Sequence, residues 1–114
     1  MNIEEFREYC ISKKGVSESF PFDDKVLVFK VAGKMFALVD VDEFKSFNAK
    51  CDPVRAVSLR EQYTGINPGY HMSKKHWNTV EADGSVPGDL MKELVDHSYE
   101  LIVAGLPKRL RETL

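Results

Sequence analysis

The chain has 114 residues, enough for one domain with its own core. Hydrophobic residues make up 43% and charged residues 30%, the balance of a globular protein that folds without disulfides or metal. The net charge of −2 excludes a surface that is basic overall, so any contact with nucleic acid or anionic membrane has to be a local patch.

The N-terminus, Met1-Asn-Ile-Glu-Glu5, is polar and acidic and lacks the basic and apolar regions of a signal peptide. Apolar runs such as Val26-Leu-Val-Phe29 are far too short to cross a bilayer. The expectation is a cytoplasmic protein with no membrane partner. In that compartment Cys10 and Cys51, neither in a CxxC pair, read as buried free thiols rather than a disulfide.

Residues 2–14 read as an amphipathic helix, with Asn2 as N-cap, Glu5 completing a capping box, Ile3, Phe6 and Cys10 on one face, and Gly15 as stop. Val16 to Asp24 reads as a connector whose Phe20-Pro-Phe22 folds onto the core. Three strands follow, Lys25–Val31, Met35–Val39 and Phe44–Cys51, with turns at Ala32-Gly33-Lys34 and Asp40-Val-Asp-Glu43. The third alternates Phe47, Ala49 and Cys51 against Ser46, Asn48 and Lys50, as a strand with one wet face does. Asp52-Pro53 starts a second helix that runs to Tyr63, with Ala56, Leu59 and Tyr63 inward. Ile66-Asn-Pro-Gly69 reads as a turn, and Tyr70–Met72 and Trp77–Val80 as two short strands. The last helix starts near Pro87, capped by Ser85 or Val86. Its stripe is Leu90, Met91, Leu94, Val95, Ser98, Leu101 and Ile102, and a basic tail, Leu106–Arg111, follows it.

The order α-β-β-β-α-β-β-α, over a single domain of residues 1–114, implies an α+β two-layer sandwich: an antiparallel sheet with helices on one face. The chemistry concentrates in Gly69–Val80, which holds two of the three histidines, the single tryptophan, the pair Lys74-Lys75 and no acidic residue. No catalytic signature stands out. His71, His76 and His97 lack the spacing and partners of a zinc site, no glycine-rich phosphate loop is present, and no cofactor is implied. A Cys51–His71 pair has nothing that marks either group as activated, and the acidic residues Asp23-Asp24 and Asp40–Glu43 sit where turns are expected. A binding protein is the expectation rather than an enzyme.

Several segments, in order, carry a resemblance: Lys30-Val-Ala-Gly-Lys-Met-Phe-Ala37, Lys50-Cys-Asp-Pro53, Gly69-Tyr-His-Met72, Lys75-His-Trp-Asn78, Ser98-Tyr99 and Leu106-Pro-Lys108. The chain resembles the MmcQ/YjbR family of small bacterial proteins from about Glu5 to Arg109, with Ser73 where that family often has Asn. The resemblance implies an α-β(3)-α-β(2)-α fold and DNA binding through two wing-like β-hairpins. It also implies a likeness to secretion chaperones, whose fold binds protein segments.

On the DNA reading, Lys74, Lys75 and His76 at one hairpin tip meet phosphates, Lys30 and Lys34 form the second wing, and Lys50 lines the ground between them. Lys108 and Arg109 add charge from the tail. Trp77 either stacks on a base or serves the core. The partner is then duplex DNA. The alternative is a protein- or ligand-binding module, with a protein partner met by an apolar surface such as Phe20–Phe22. A converging positive patch favours the first reading, an exposed apolar groove the second.

Overall fold

The computed structural model describes residues 1–114. The first helix, α1 (Ile3–Ile11), begins with the expected capping box: Glu5 N donates to Asn2 Oδ1 at 2.8 Å, and Asn2 N donates to Glu5 Oε1 at 3.3 Å. It stops three residues before the expected end. Ser12 N closes the last turn on Glu8 O, and Gly15 takes φ +71° to redirect the chain. Strands β1 (Val16–Ser19), β2 (Val26–Val31), β3 (Lys34–Asp40) and β4 (Ser46–Lys50) follow, then α2 (Pro53–Gln62), β5 (Ile66–Pro68) and β6 (Trp77–Glu81). The chain ends in the long helix α3 (Gly88–Ala104) and the short α4 (Lys108–Arg111).

The six strands form one antiparallel sheet in the order β1-β2-β3-β4-β6-β5. One face carries Leu27, Phe29, Val31, Ala37, Val39, Phe47, Ala49, Ile66 and Val80. These pack against Phe6 and Cys10 of α1, Ala56 and Leu59 of α2, and Met91, Leu94, Val95 and Ile102 of α3. The α+β architecture, with helices on one side of an antiparallel sheet, is therefore as expected.

Five further local expectations fail. The connector Val16–Asp24 contains β1, whose four residues are too few to announce a period. Val16 still turns toward the core and Glu18 accepts from Arg7 Nε at 2.8 Å. Phe20 and Phe22 do not fold onto the core; they are 47% and 66% exposed. The fifth strand is Ile66–Pro68, read as a turn, while Tyr70–Met72, read as a strand, is a turn. Proline is tolerated there because β5 is the outermost strand, with no neighbour beyond it to bond. Strand β4 starts at Ser46 instead of Phe44, whose φ of +38° breaks extended backbone. At α3, Ser85 bonds Asp83 and leaves Pro87 as an N-cap without a side-chain bond.

The turn between β2 and β3 is two residues long, since Val31 pairs with Lys34. Ala32 and Gly33 take φ of +50° and +78°, the two positive values of a type I′ hairpin. Alanine is poorly suited to that position. Ala32→Asn should stabilise the fold by roughly 0.5–1 kcal/mol, because Asn reaches the left-handed region more cheaply. The melting temperature followed by circular dichroism should rise by about 2–5 °C.

Beyond that turn the β2–β3 register shifts after Phe29, and Phe36 is the extra residue. Its carbonyl finds a partner outside the sheet. The Ser98 hydroxyl of α3 donates to Phe36 O at 2.6 Å and accepts from Lys50 N at 2.9 Å. A fully buried serine thereby satisfies both a bulge and the end of β4.

Candidate binding site on the open face of the sheet

The opposite face of the sheet has no helix over it, and register decides what it presents. Its middle row is Val28, Leu38, Asn48 and Thr79, paired in succession across β2, β3, β4 and β6. At one end Lys30 pairs with Met35, and Lys50 with Trp77. At the other end Val26 pairs with Asp40, and Ser46 with Glu81. Extending the β3–β4 register by one residue sets Asp40 beside Ser46. The face thus has a basic end, an apolar and amide middle, and an acidic end.

The turns reinforce this polarity. Lys34 and the Ser73–His76 connection stand at the same end of the sheet, because β3 begins and β4 ends there, but on its helix side: Lys34 pairs with Val31 of the covered face, and Lys75 shares a shallow groove with Pro53, Val54 and Val57 of α2. None of Lys30, Lys34, Lys50, Lys74 and Lys75 forms an ion pair with a carboxylate. The acidic end gathers Asp23 and Asp24 from the β1–β2 loop and Asp42 and Glu43 from the β3–β4 loop. The Asp23 carboxylate accepts from Lys25 N at 2.9 Å and Val26 N at 2.8 Å, bonds that hold its pKa below the ordinary value.

The candidate residues do not all share one fate. Lys34, Lys75 and His76 are exposed, and Lys30 and Lys50 are half-buried along their stems. The Lys74 ammonium donates to Gly69 O inside its own loop. Trp77 is 9% exposed and joins Val28 and Leu38 in a small cluster bordered by Val26, Met35 and Met72. It serves as core on the open face rather than as a free stacking surface. Lys108 and Arg109 lie on α4, where Lys108 pairs with Glu112 at 3.8 Å. The chain end beyond α4 packs Leu114 against the helix-side core, so the tail follows the covered face.

Two sets of hydrogen bonds fix the Gly69–Trp77 segment, and sequence reasoning singled out neither. Asn48 Nδ2 donates to Tyr70 O at 3.1 Å, Thr79 Oγ1 donates to Asn48 Oδ1 at 2.5 Å, and Tyr70 N donates to Thr79 Oγ1 at 2.9 Å. This closed ring of bonds pins the Tyr70–Met72 turn over the sheet, with His71 held at φ +59°. From α2, Arg60 Nε donates to Asn78 Oδ1 at 2.7 Å, while its terminal nitrogen donates to Trp77 O at 3.2 Å and to Lys74 O. The spacing of Arg60 four residues after the inward Ala56 was the available signal for its position.

Between the Tyr70–Met72 turn, the Phe22 loop and the β3–β4 loop lies a cavity of about 480 Å³. Val26, Leu38 and Met72 supply its apolar surface, and Phe22 and Tyr70 stand at its rim, 66% and 68% exposed. Its polar groups include Asp40, Ser46 and Asn48.

The titratable groups outside this face behave as structural parts. Burial pushes the Cys10 thiol up to about 12 and raises that of Cys51 as well, so neither is poised as a nucleophile. Both cysteines are free. His97 accepts from Asp52 N through Nε2 at 3.1 Å, and burial lowers its pKa. No group of three His, Cys, Asp or Glu side chains stands close enough to hold a metal ion, and no helix is long and apolar enough to cross a membrane.

Fold and face together define an α+β protein with one helix-covered and one half-open sheet face. The chain belongs to the YjbR family, whose model matches residues 11–101. It is 37% identical over 115 residues to the uncharacterized protein YjbR of Escherichia coli strain K12, covering 100% of this chain and 98% of that protein. It is 31% identical over 75 residues to the uncharacterized protein YyaQ of Bacillus subtilis strain 168, covering 66% and 63% of the two chains. Among solved structures, the Deinococcus radiodurans protein DR2400 superposes with a TM-score of 0.92 at 39% identity, over 98% of this chain and 86% of that one. A Pseudomonas syringae protein superposes with a TM-score of 0.74 at 28% identity, over 89% of this chain and 98% of that one.

Proposed function

We propose that the chain is a cytoplasmic protein that binds duplex DNA weakly and without sequence preference, through the basic end of its sheet. The observation that carries this reading is the convergence of Lys30, Lys34, Lys50 and Lys75 on one end of the sheet with no carboxylate partner. Lysines at hairpin ends meet phosphate as point charges and read no base. His76 adds a hydrogen-bond donor beside them. Trp77, opposite Lys50 in the strand register, contributes by packing against Val28 and Leu38, not by stacking on bases. The acidic end of the sheet repels phosphate, which confines a duplex to the lysine end and keeps the contact small.

Four such contacts give log K against log salt a slope of about −3.6. Fluorescence anisotropy of a labelled duplex at several salt concentrations measures it. Replacing Lys34 and Lys75 together by alanine should roughly halve that slope, since both are exposed and neither supports the fold. Absence of binding at low salt, where screening is weakest, sinks the proposal.

A second reading, a protein- or ligand-binding module, is favoured by the cavity between Phe22 and Tyr70. That cavity lies toward the acidic end, so the two readings use different ends of the sheet.

A further inference from the structure

The cavity under the Tyr70–Met72 turn has a shape and a charge, and together they define a ligand. We infer that it takes a small aromatic amine, an inference that rests on the ligand-binding reading of this face. Its volume of about 480 Å³ falls in the range of sites that enclose small organic molecules. Phe22 and Tyr70 reach its rim from separate loops, and both rings are mostly exposed. The His71 ring lies 4.0 Å from that of Tyr70, which extends the aromatic wall. Leu38 and Met72 supply an apolar contact for the flat face of a ring.

The charged lining groups, Asp40, Glu43 and Lys45, lie toward one end. Asp40 uses Oδ1 to accept from Asp42 N at 2.9 Å, and its other oxygen has no partner in the chain. Beside it on the open face is Ser46, whose hydroxyl makes no hydrogen bond within the chain, and Glu81, paired with Ser46, stands just beyond. Among the charged groups that line the cavity, Lys45 is paired with Glu43 at 3.1 Å, which leaves Asp40 as the carboxylate without a cationic partner. An ammonium above Ser46 would meet the Asp40 carboxylate, with Glu81 next along the strand row, whereas a carboxylate there would be repelled. Asn48 and Thr79 are spent on the ring of bonds that holds the turn, so charge decides the orientation of the ligand: ring toward Phe22 and Tyr70, ammonium toward Asp40.

Three probes with one ring system separate the possibilities: tryptamine, neutral indole and indole-3-propionate. Each is titrated into the ¹⁵N-labelled full chain and followed by amide chemical shifts. Tryptamine should saturate at about 1 mM or below, within the reach of a ligand of that size. Its shifts should centre on Val26, Leu38, Asn48 and Met72. Indole-3-propionate should bind at least tenfold more weakly. Asp40→Asn should weaken tryptamine about tenfold and leave indole unchanged, and Phe22→Ala, at an exposed site, should weaken both. Equal binding of all three probes overturns the amine assignment and leaves a ligand groove standing. No saturable shift with any probe overturns both. Loss of tryptamine binding in Lys34→Ala, at the far end of the sheet, also overturns the assignment, because it would put the ligand outside the cavity.

Discussion

Phe6→Ala should unfold the protein about 15 °C below the parent, the largest loss expected from any single truncation. Phe6 is fully buried, and its ring stands 4.7 Å from Phe47, 5.5 Å from Phe44 and 6.0 Å from Phe29. One side chain of α1 thus meets β2, β4 and the loop before β4. Truncation removes the ring and leaves a cavity whose walls are sheet residues held by their own ladder bonds, so collapse is limited. Such changes cost about 3–5 kcal/mol, which at this chain length corresponds to the stated drop. The other ties of α1 are the exposed Arg7–Glu18 pair and the bonds of Tyr9 and Lys13 to Asp96, with Cys10 beneath. The exposed Arg7–Glu18 pair contributes little, and the part-buried bonds to Asp96 will not hold the helix alone. Phe6→Leu fills most of the space and should lose less than half as much. Urea unfolding measures both, and an equal loss for Leu and Ala would mean that edge contacts between rings, not volume, decide the site. Most of this helix precedes the matched family segment, residues 11–101, so its anchoring depends on a residue outside that match.

The elements visible in the sequence were those with a long period or a strong cap. Asn2 with Glu5, Asp52 with Pro53, and the stripe from Met91 to Ile102 each appear in the structure where their pattern put them. Short elements were not visible. Strand β1 has four residues and β5 has three, and each exists because a neighbour offers an unpaired edge, a property of the sheet rather than of the segment. The lysines of the candidate site were legible one by one, but their convergence needed the register of β2, β3, β4 and β6. The reversal in Phe22 is more instructive. An apolar residue in a loop reads as core, yet here the core is already filled on the helix side, and Phe22 stands at the rim of a cavity instead. The role of Trp77 had two readings in the sequence. Burial against Val28 and Leu38 decides for packing, on the face that alternation had marked as wet.

Arg60→Met should cost about 2–4 kcal/mol and loosen the segment that carries Lys75 and His76. Its side chain is the one link from α2 to three acceptors of that segment: Asn78 Oδ1, Trp77 O and Lys74 O. Methionine keeps much of the stem volume but donates nothing. The Asn78 side chain, 2% exposed, then keeps only its 3.4 Å bond from Nδ2 to Ala56 O, and its carbonyl oxygen is buried without a partner. A buried acceptor left in that state is costly, and losing a charged donor adds to it. Arg60→Lys restores charge but only a point donor, which cannot span three acceptors, so it should recover less than half of the loss. Trp77 reports the change directly. Its indole is covered by Met35 and Met72 as well as by Val28 and Leu38, so a loosened segment admits water and shifts its emission to the red. Because Arg60 holds the segment that carries Lys75, and the two line one shallow groove with Pro53, Val54 and Val57 of α2, its loss should also weaken any phosphate contact made by Lys75. Unchanged stability and unchanged emission would show that the ring of bonds through Asn48, Thr79 and Tyr70, with the backbone bonds from Gly69 N to Trp77 O and from Trp77 N to Ser73 O, holds the segment without Arg60.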